Sequence, residues 1–251
     1  MTHHTTAQQE DICFQANLYE SGNPVRRWLH NRRRSWIWEQ IRAYAKPGMS
    51  FLEIGIGCGI YTRSLAQMGH VSAFDINSDF VDAANAIDGV TAACADIQIQ
   101  SLPPLHDLAL CSEVLEHIED SSTALKNIAG GLRPGGLLVL TTPNRFSTAE
   151  LVARLLQLKP VLALARRIYD ESVDELGHIN LMTRGQLGAQ IEAAGFRVLQ
   201  RADLGFYLPG VAEFGGAPAQ KLCAWLESIL GRSAMTSHLL WTQAWVLQKV
   251  E

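Results

Sequence analysis

From Ser50 onward the apolar residues gather into short runs separated by stretches of helical spacing. Phe51 to Ile54 is the first run and enters a glycine turn, and Tyr61 to Met68 has the spacing of a helix. Val71 to Phe74 reads as a second strand, Ser78 to Ala86 as a helix, and Val90 to Ala95 as a third strand. Asp107 to Cys111, set off by Pro103-Pro104, is a fourth. Glu113 to Gly130 is mostly helical, and Gly135-Gly136 then leads into a fifth strand, Leu137 to Thr141. Apolar runs bounded by turn residues and alternating with helices predict a parallel sheet covered on both faces.

The rhythm breaks after Pro143. Ala149 to Tyr169 is apolar but carries Arg154, Lys159, Arg166 and Arg167, and Pro160 interrupts it. Alternation returns with a helix at Thr183 to Ala194 and a strand at Phe196 to Arg201, and Leu239, Trp241 and Trp245 have the spacing of a closing strand. Ahead of the sheet, Tyr19 to Tyr44 is a Trp- and Arg-rich helical segment that stops at the turn Lys46-Pro47-Gly48. The organisation expected is an N-terminal tail with cap helices over residues 1–45, then one α/β domain over 46–251 with an inserted lid at about 145–182. The fold class is a doubly wound, mostly parallel seven-stranded sheet with a helical cap.

Composition narrows the setting. At 251 residues and 47% hydrophobic, the chain can fill one large core. A net charge of −4 and a pI near 6.1 argue against a broad nucleic-acid surface, so no DNA is expected and RNA is disfavoured. The five cysteines (Cys13, Cys58, Cys94, Cys111 and Cys223) form no CxxC pair, which suits a reduced, cytoplasmic setting. Met1 to Glu10 is polar, unlike a signal peptide, and no window offers the ~18–20 apolar residues of a membrane span. Oligomeric state is not legible.

The strongest chemical signal is Glu53-x-Gly55-x-Gly57-x-Gly59, directly after a strand. Glycines there let the backbone turn sharply and approach a ligand that a Cβ would exclude. Asp75 ends the second strand, where a carboxylate can accept from ribose hydroxyls, and Asp96 ends the third, placed for an adenine edge. A dinucleotide fingerprint starting at Gly55 would need a third glycine at position 60, where Ile60 stands, so a pyrophosphate is disfavoured. The acidic Glu53 suits a cationic ligand better.

With these motifs the chain resembles the class I S-adenosylmethionine (SAM)-dependent methyltransferases over roughly residues 30–200, by motif order. The resemblance is carried by Leu52-Glu53-Ile54-Gly55-Ile56-Gly57-Cys58-Gly59, Ala73-Phe74-Asp75-Ile76-Asn77 and Ala95-Asp96-Ile97. It continues through Ser112-Glu113-Val114-Leu115-Glu116-His117 and Leu132-Arg133-Pro134-Gly135-Gly136. It implies SAM as cofactor, with its methionine on the glycine loop and near Ser112, its ribose at Asp75 beside Ile76, and its adenine beside Asp96 and Ile97. Of the arginines in the N-terminal segment (Arg26, Arg27, Arg32, Arg33 and Arg34), Arg34 matches the family position that would pair with the SAM carboxylate; the others read as a solvated helix face.

Glu113, Glu116 and His117 are spaced i, i+3, i+4, so a helix would present them on one face. Two carboxylates and an imidazole there could hold a divalent cation, magnesium or manganese by their oxygen-rich ligation. Here the chain is similar to the ubiquinone-pathway O-methyltransferases, which share Glu-x-x-Glu-His, the Thr142-Pro143-Asn144-Arg145 turn and an apolar insertion after it. Small-RNA 2′-O-methyltransferases use such a helix with a later histidine, which His178 could match. Without a metal, His117 or His178 is the candidate general base, with Glu113 beside them. The expected function is methyl transfer to a hydroxyl of a small aromatic or lipid-like acceptor. N- or C-methylation of a small metabolite, RNA methylation and a non-enzymatic SAM-binding role stand as alternatives. The basic, apolar stretch 150–169 could also touch a membrane peripherally, or close over the core as a lid.

Overall fold

The computed structural model of the chain describes residues 17–102, 105–156 and 179–250. Its strands are β1 (Phe51–Ile54), β2 (Val71–Asp75), β3 (Val90–Cys94), β4 (His106–Ser112), β5 (Leu132–Pro143), β6 (Phe196–Leu204) and β7 (Thr242–Lys249). The helices are α1 (Pro24–Tyr44), α2 (Thr62–Ala66), α3 (Ser78–Asn85), α4 (Ser121–Gly131), α5 (Thr148–Leu156), α6 (Arg184–Ala193), α7 (Val211–Phe214) and α8 (Gly216–Leu230). The seven strands form one sheet in the order β3-β2-β1-β4-β5-β7-β6, parallel except for β7, which runs antiparallel between β5 and β6. The doubly wound α/β fold predicted from the apolar runs is the observed one.

Strand pleating explains why the central strands read as unbroken apolar runs. All four residues of β1 are buried. Leu52 and Ile54 point into a core shared with Ala124, Leu125 and Ile128 of α4 and Leu187 and Ile191 of α6. Phe51 points into the opposite core, with Ile37 and Ile41 of α1, Leu65 of α2 and Phe80 of α3. A third cluster joins Val25 and Leu29 of α1 to Phe206, Ala212, Cys223 and Leu240, and builds a cap from α1, α7 and α8. At the start of α1, the Asn23 side chain accepts from the backbone N–H groups of Val25 and Arg26, ahead of Pro24.

Two expected elements need correction. The helix expected from Glu113 begins only at Ser121, where the Asp120 side chain accepts from the Thr123 N–H at 2.9 Å. Between lie a left-handed residue at Glu113 (φ 57°) and a single 3₁₀ turn, Leu115–His117. Glu113, Glu116 and His117 therefore do not share a helical face. The closing strand starts at Thr242, and Leu239 belongs to a preceding 3₁₀ turn. β7 is covered on both faces along most of its length, so no alternation marks its start. Of the 150–169 stretch, only α5 up to Leu156 lies within the described residues. Among the described residues no helix is long and apolar enough to cross a membrane.

Leu110 sits in the middle strand and is 1% exposed. Replacing it with alanine should cost about 2–5 kcal/mol, because the pleated neighbours on β1 and β5 cannot collapse into the void. Urea unfolding would measure this, and a loss below about 1 kcal/mol would contradict the packing described.

Candidate active site

The loop after β1 is built by three left-handed glycines, Gly55, Gly57 and Gly59, at φ 78°, 50° and 69°. A Cβ on Gly55 would lie 2.3 Å from Cγ2 of Val114, so this residue is fixed by a close approach as well as by its turn. Asp75, at the end of β2, ties the loop down. Its Oδ2 accepts from the N–H groups of Ile56 (2.7 Å) and Gly57 (3.2 Å), and its Oδ1 accepts from Asn77 N–H (2.9 Å). The next side chain, Ile76, is 75% exposed, a bare apolar surface at the mouth of the loop.

The other residues expected to serve a cofactor lie along the same carboxyl edge. Asp96 follows β3 and accepts from Gln98, while Ile97 is turned into the core and its carbonyl accepts from Asn127. Ser112 ends β4 in a 2.9 Å hydrogen bond with the Thr141 hydroxyl. Arg34 lies over the Tyr19 ring, and its charge reaches the Cys58 thiol in the glycine loop.

A different arginine occupies the centre. Arg33 is 7% exposed; its Nη1 stands 2.9 Å from Oε2 of Glu113, and its guanidinium lies over the Trp241 ring. Burial alone would lower its pKa. Glu113 and the phenols of Tyr19 and Tyr61 more than offset this, leaving it raised and the guanidinium charged. Arg33 Nε and Glu113 Oε1 are both buried without a hydrogen-bond partner. Arg33 Nη2 also lies 3.4 Å from Nδ1 of His30, whose ring meets the edges of Tyr19 and Trp241. Burial first, then Arg33 and Arg26, push His30 down to about 3, so it is a neutral imidazole. A nitrogen facing a guanidinium donor must accept, which assigns the proton to Nε2.

Glu116 is buried, and its Oε2 accepts from the Thr142 hydroxyl at 3.0 Å. Burial first, then the neighbouring Glu113, push its pKa well up. Its carbonyl oxygen accepts from Ile179 and Asn180 N–H, anchoring the returning end of the insertion. His117 is half exposed, its Nε2 4.0 Å from Glu116 Oε1. His178 lies outside the described residues. Among the described residues no three His, Cys, Asp or Glu side chains group as metal ligands. Glu113 is engaged by Arg33 and Glu116 by Thr142, so the trio does not fit the divalent-cation site expected from its spacing. The solvated helix face expected for Arg33 is corrected by its burial, and His30 had not been singled out. The signal for Arg33 was present: it interrupts the stripe Val25, Leu29, Ile37 and Ile41, whose four-residue steps mark the buried face of α1.

A family model described as a methyltransferase domain matches residues 25–201. The chain is 32% identical over 128 residues to the ubiquinone biosynthesis O-methyltransferase of Xanthomonas campestris pv. campestris (strain B100), covering 45% of this chain and 54% of that protein. It therefore spans about half the length of the curated relatives it matches. Among solved structures, it is similar to the N-methyltransferase NodS from Bradyrhizobium japonicum WM9 in complex with S-adenosylhomocysteine (TM-score 0.57, 18% identity, covering 98% of this chain and 97% of that one). It is also similar to the [4+2]-cyclase SpnF (TM-score 0.54, 16% identity, covering 84% and 79%). At these identities the two structures speak for the fold alone, and the two proteins are named for different reactions.

Glu53 supplies a test of the site's electrostatics. It is 1% exposed, and burial, opposed by a hydrogen bond from Thr62 and helped by Asp75, pushes it up to about 8 from an ordinary 4.5. Between those two values the folded protein holds a proton that the unfolded chain has lost, so stability falls as pH rises through that window. Urea unfolding of the wild type should show this loss at up to roughly 1.4 kcal/mol per pH unit relative to Glu53→Gln. Parallel pH profiles for the two proteins would refute a protonated Glu53.

Proposed function

The chain belongs to the class I SAM-dependent methyltransferase family, and from that premise we propose that it transfers a methyl group from SAM to a hydroxyl of a small aromatic or lipid-like acceptor. The observation that carries the cofactor half is the cradle at the sheet's carboxyl edge. Three left-handed glycines, one without room for a Cβ, open a backbone surface beside Asp75 and the bare Ile76. A buried carboxyl, Glu53, below that surface suits a cationic ligand. The hydroxyl half rests on the likeness to the O-methyltransferase from Xanthomonas campestris, over half of that protein's length.

Bound there, SAM would supply a sulfonium methyl as electrophile. The chain's residues supply alignment and proton handling. Gly55, Gly57 and Gly59 and the Ser112 end of β4 line the methionyl side, with Arg34 near the loop for the carboxylate. Asp75 and Ile76 take the ribose side, and Asp96 with the backbone of Ile97 the adenine side. Glu113, fixed by Arg33, orients the cap over the reacting edge. We give the role of general base to His117, whose imidazole is open to solvent beside the loop after β4.

Two variants test the two halves separately. Asp75→Ala should weaken SAM binding by tenfold or more in calorimetry, about the worth of one lost charged hydrogen-bond acceptor. His117→Ala should leave SAM affinity intact and lower turnover of a phenolic acceptor by about 10²–10⁴-fold, read as S-adenosylhomocysteine formed. Unchanged SAM affinity in the first variant would overturn the cofactor assignment. SAM binding with no turnover in a screen of phenols, amines and lipid-like hydroxyls would overturn the enzymatic reading.

A further inference from the structure

The cap carries a surface that the methyltransferase reading does not use. The inner side of α8 is buried through Ala219, Cys223 and Glu227, four residues apart, against α1 and the cap cluster. The opposite side stays bare: Leu222, Trp225 and Ile229 are 45%, 57% and 41% exposed. Helical spacing puts these three on one stripe. Phe214 just before α8 and Met235 just after it are more exposed still.

The charges bordering this stripe are of one sign. Lys221 and Arg232 are exposed, while the one carboxylate of α8, Glu227, is buried and paired with Arg32 at 2.9 Å. Ser228 and Arg232, one turn from Trp225 and Ile229, also line a cavity of about 450 Å³ between α1 and α8, together with Trp28, Arg32 and Asp203. Both acids in the cavity wall are already matched, Glu227 by Arg32 and Asp203 by Arg184. What remains for a ligand is the Arg232 guanidinium and the terminal amines of Arg32, beside an indole ring. An apolar stripe bordered by cations, on a chain whose net charge is −4, has the chemistry of an interfacial helix meeting negative headgroups.

We propose that the outer face of α8 docks on an anionic phospholipid surface. Leu222, Trp225 and Ile229 enter the boundary between headgroups and acyl chains, and Arg32 and Arg232 take a headgroup phosphate at the mouth of the cavity. A second copy of this chain suits the face poorly. A two-fold antiparallel pairing centred between Trp225 and Ser228 sets Lys221 against Arg232 across the axis, like charge on like. The proposal does not rest on methyl transfer.

Co-sedimentation with vesicles tests it, using phosphatidylcholine alone and phosphatidylcholine mixed with phosphatidylglycerol. The full chain should pellet with the mixed vesicles and stay in solution with the neutral ones, and salt should weaken the binding. Arg232→Gln should lower the partition coefficient about fivefold, the worth of one cation at such a surface. The double variant Trp225→Ser with Ile229→Ser should abolish pelleting. The three substituted positions, Trp225, Ile229 and Arg232, are solvent-facing, and circular dichroism would verify that the variants remain folded. Failure of the wild type to pellet, equal pelleting with neutral vesicles, or variants that pellet like the wild type would each overturn the proposal. So would a dimer in sedimentation velocity that the double variant dissolves, because the face would then belong to a second copy.

Discussion

A guanidinium and a carboxylate withdrawn from water fix how the cap sits on the sheet. Arg33 comes from the middle of α1 and Glu113 from the elbow after β4, and they meet at 2.9 Å with both side chains largely buried. Desolvating two charges is expensive, and mutual attraction repays it only when the geometry is good. Here Trp241 stacks on the guanidinium, and Asn144 N–H bonds the carbonyl of Trp241, so the end of β5 and the start of β7 are drawn into the same knot. Loss of either partner would strand the other charge, which makes the pair a constraint on orientation more than a source of net stability.

That pair also accounts for the backbone around it. Glu113 turns back toward α1 by adopting a left-handed conformation, unusual for a residue with a side chain. Val114 is thereby pushed against Gly55, where a side chain would collide. The glycine loop on one side and the cap on the other are thus coupled through two consecutive residues. Asp75 secures the far side of the loop by bonding the backbone of Ile56 and Gly57. The carboxyl edge of the sheet is pre-shaped between these two anchors, as crevices in open α/β sheets generally are.

How much of this was legible depended on whether one residue or a meeting of residues carried the information. Strands β1 to β5 and the glycine loop were readable, because burial on both faces and left-handed turns leave local marks in sequence. The elbow at Glu113 was not. Helical spacing runs on through Glu113, Glu116 and His117, and only a tertiary partner, Arg33, breaks it. The helix starts after Asp120, whose side chain accepts from the Thr123 N–H as an N-cap. The arginine was misjudged for a related reason. Arg34 matched a family position, whereas Arg33 stood in the apolar stripe of α1, where burial is set by the helix face and not by residue type.

The same tertiary logic governs the acids. Glu53 and Glu116 lie on opposite sides of the Glu113 elbow in sequence, and burial is the first cause that raises the pKa of each. Of these three carboxyls, Glu113 is the one that meets Arg33, at 2.9 Å. The centre of the site therefore sets one matched pair beside two carboxyls whose pKa values burial raises. A cation placed beside Glu53 favours its ionised form and displaces its proton. Burial, which makes the acid neutral in the absence of a partner, is also what makes it sensitive to the arrival of one.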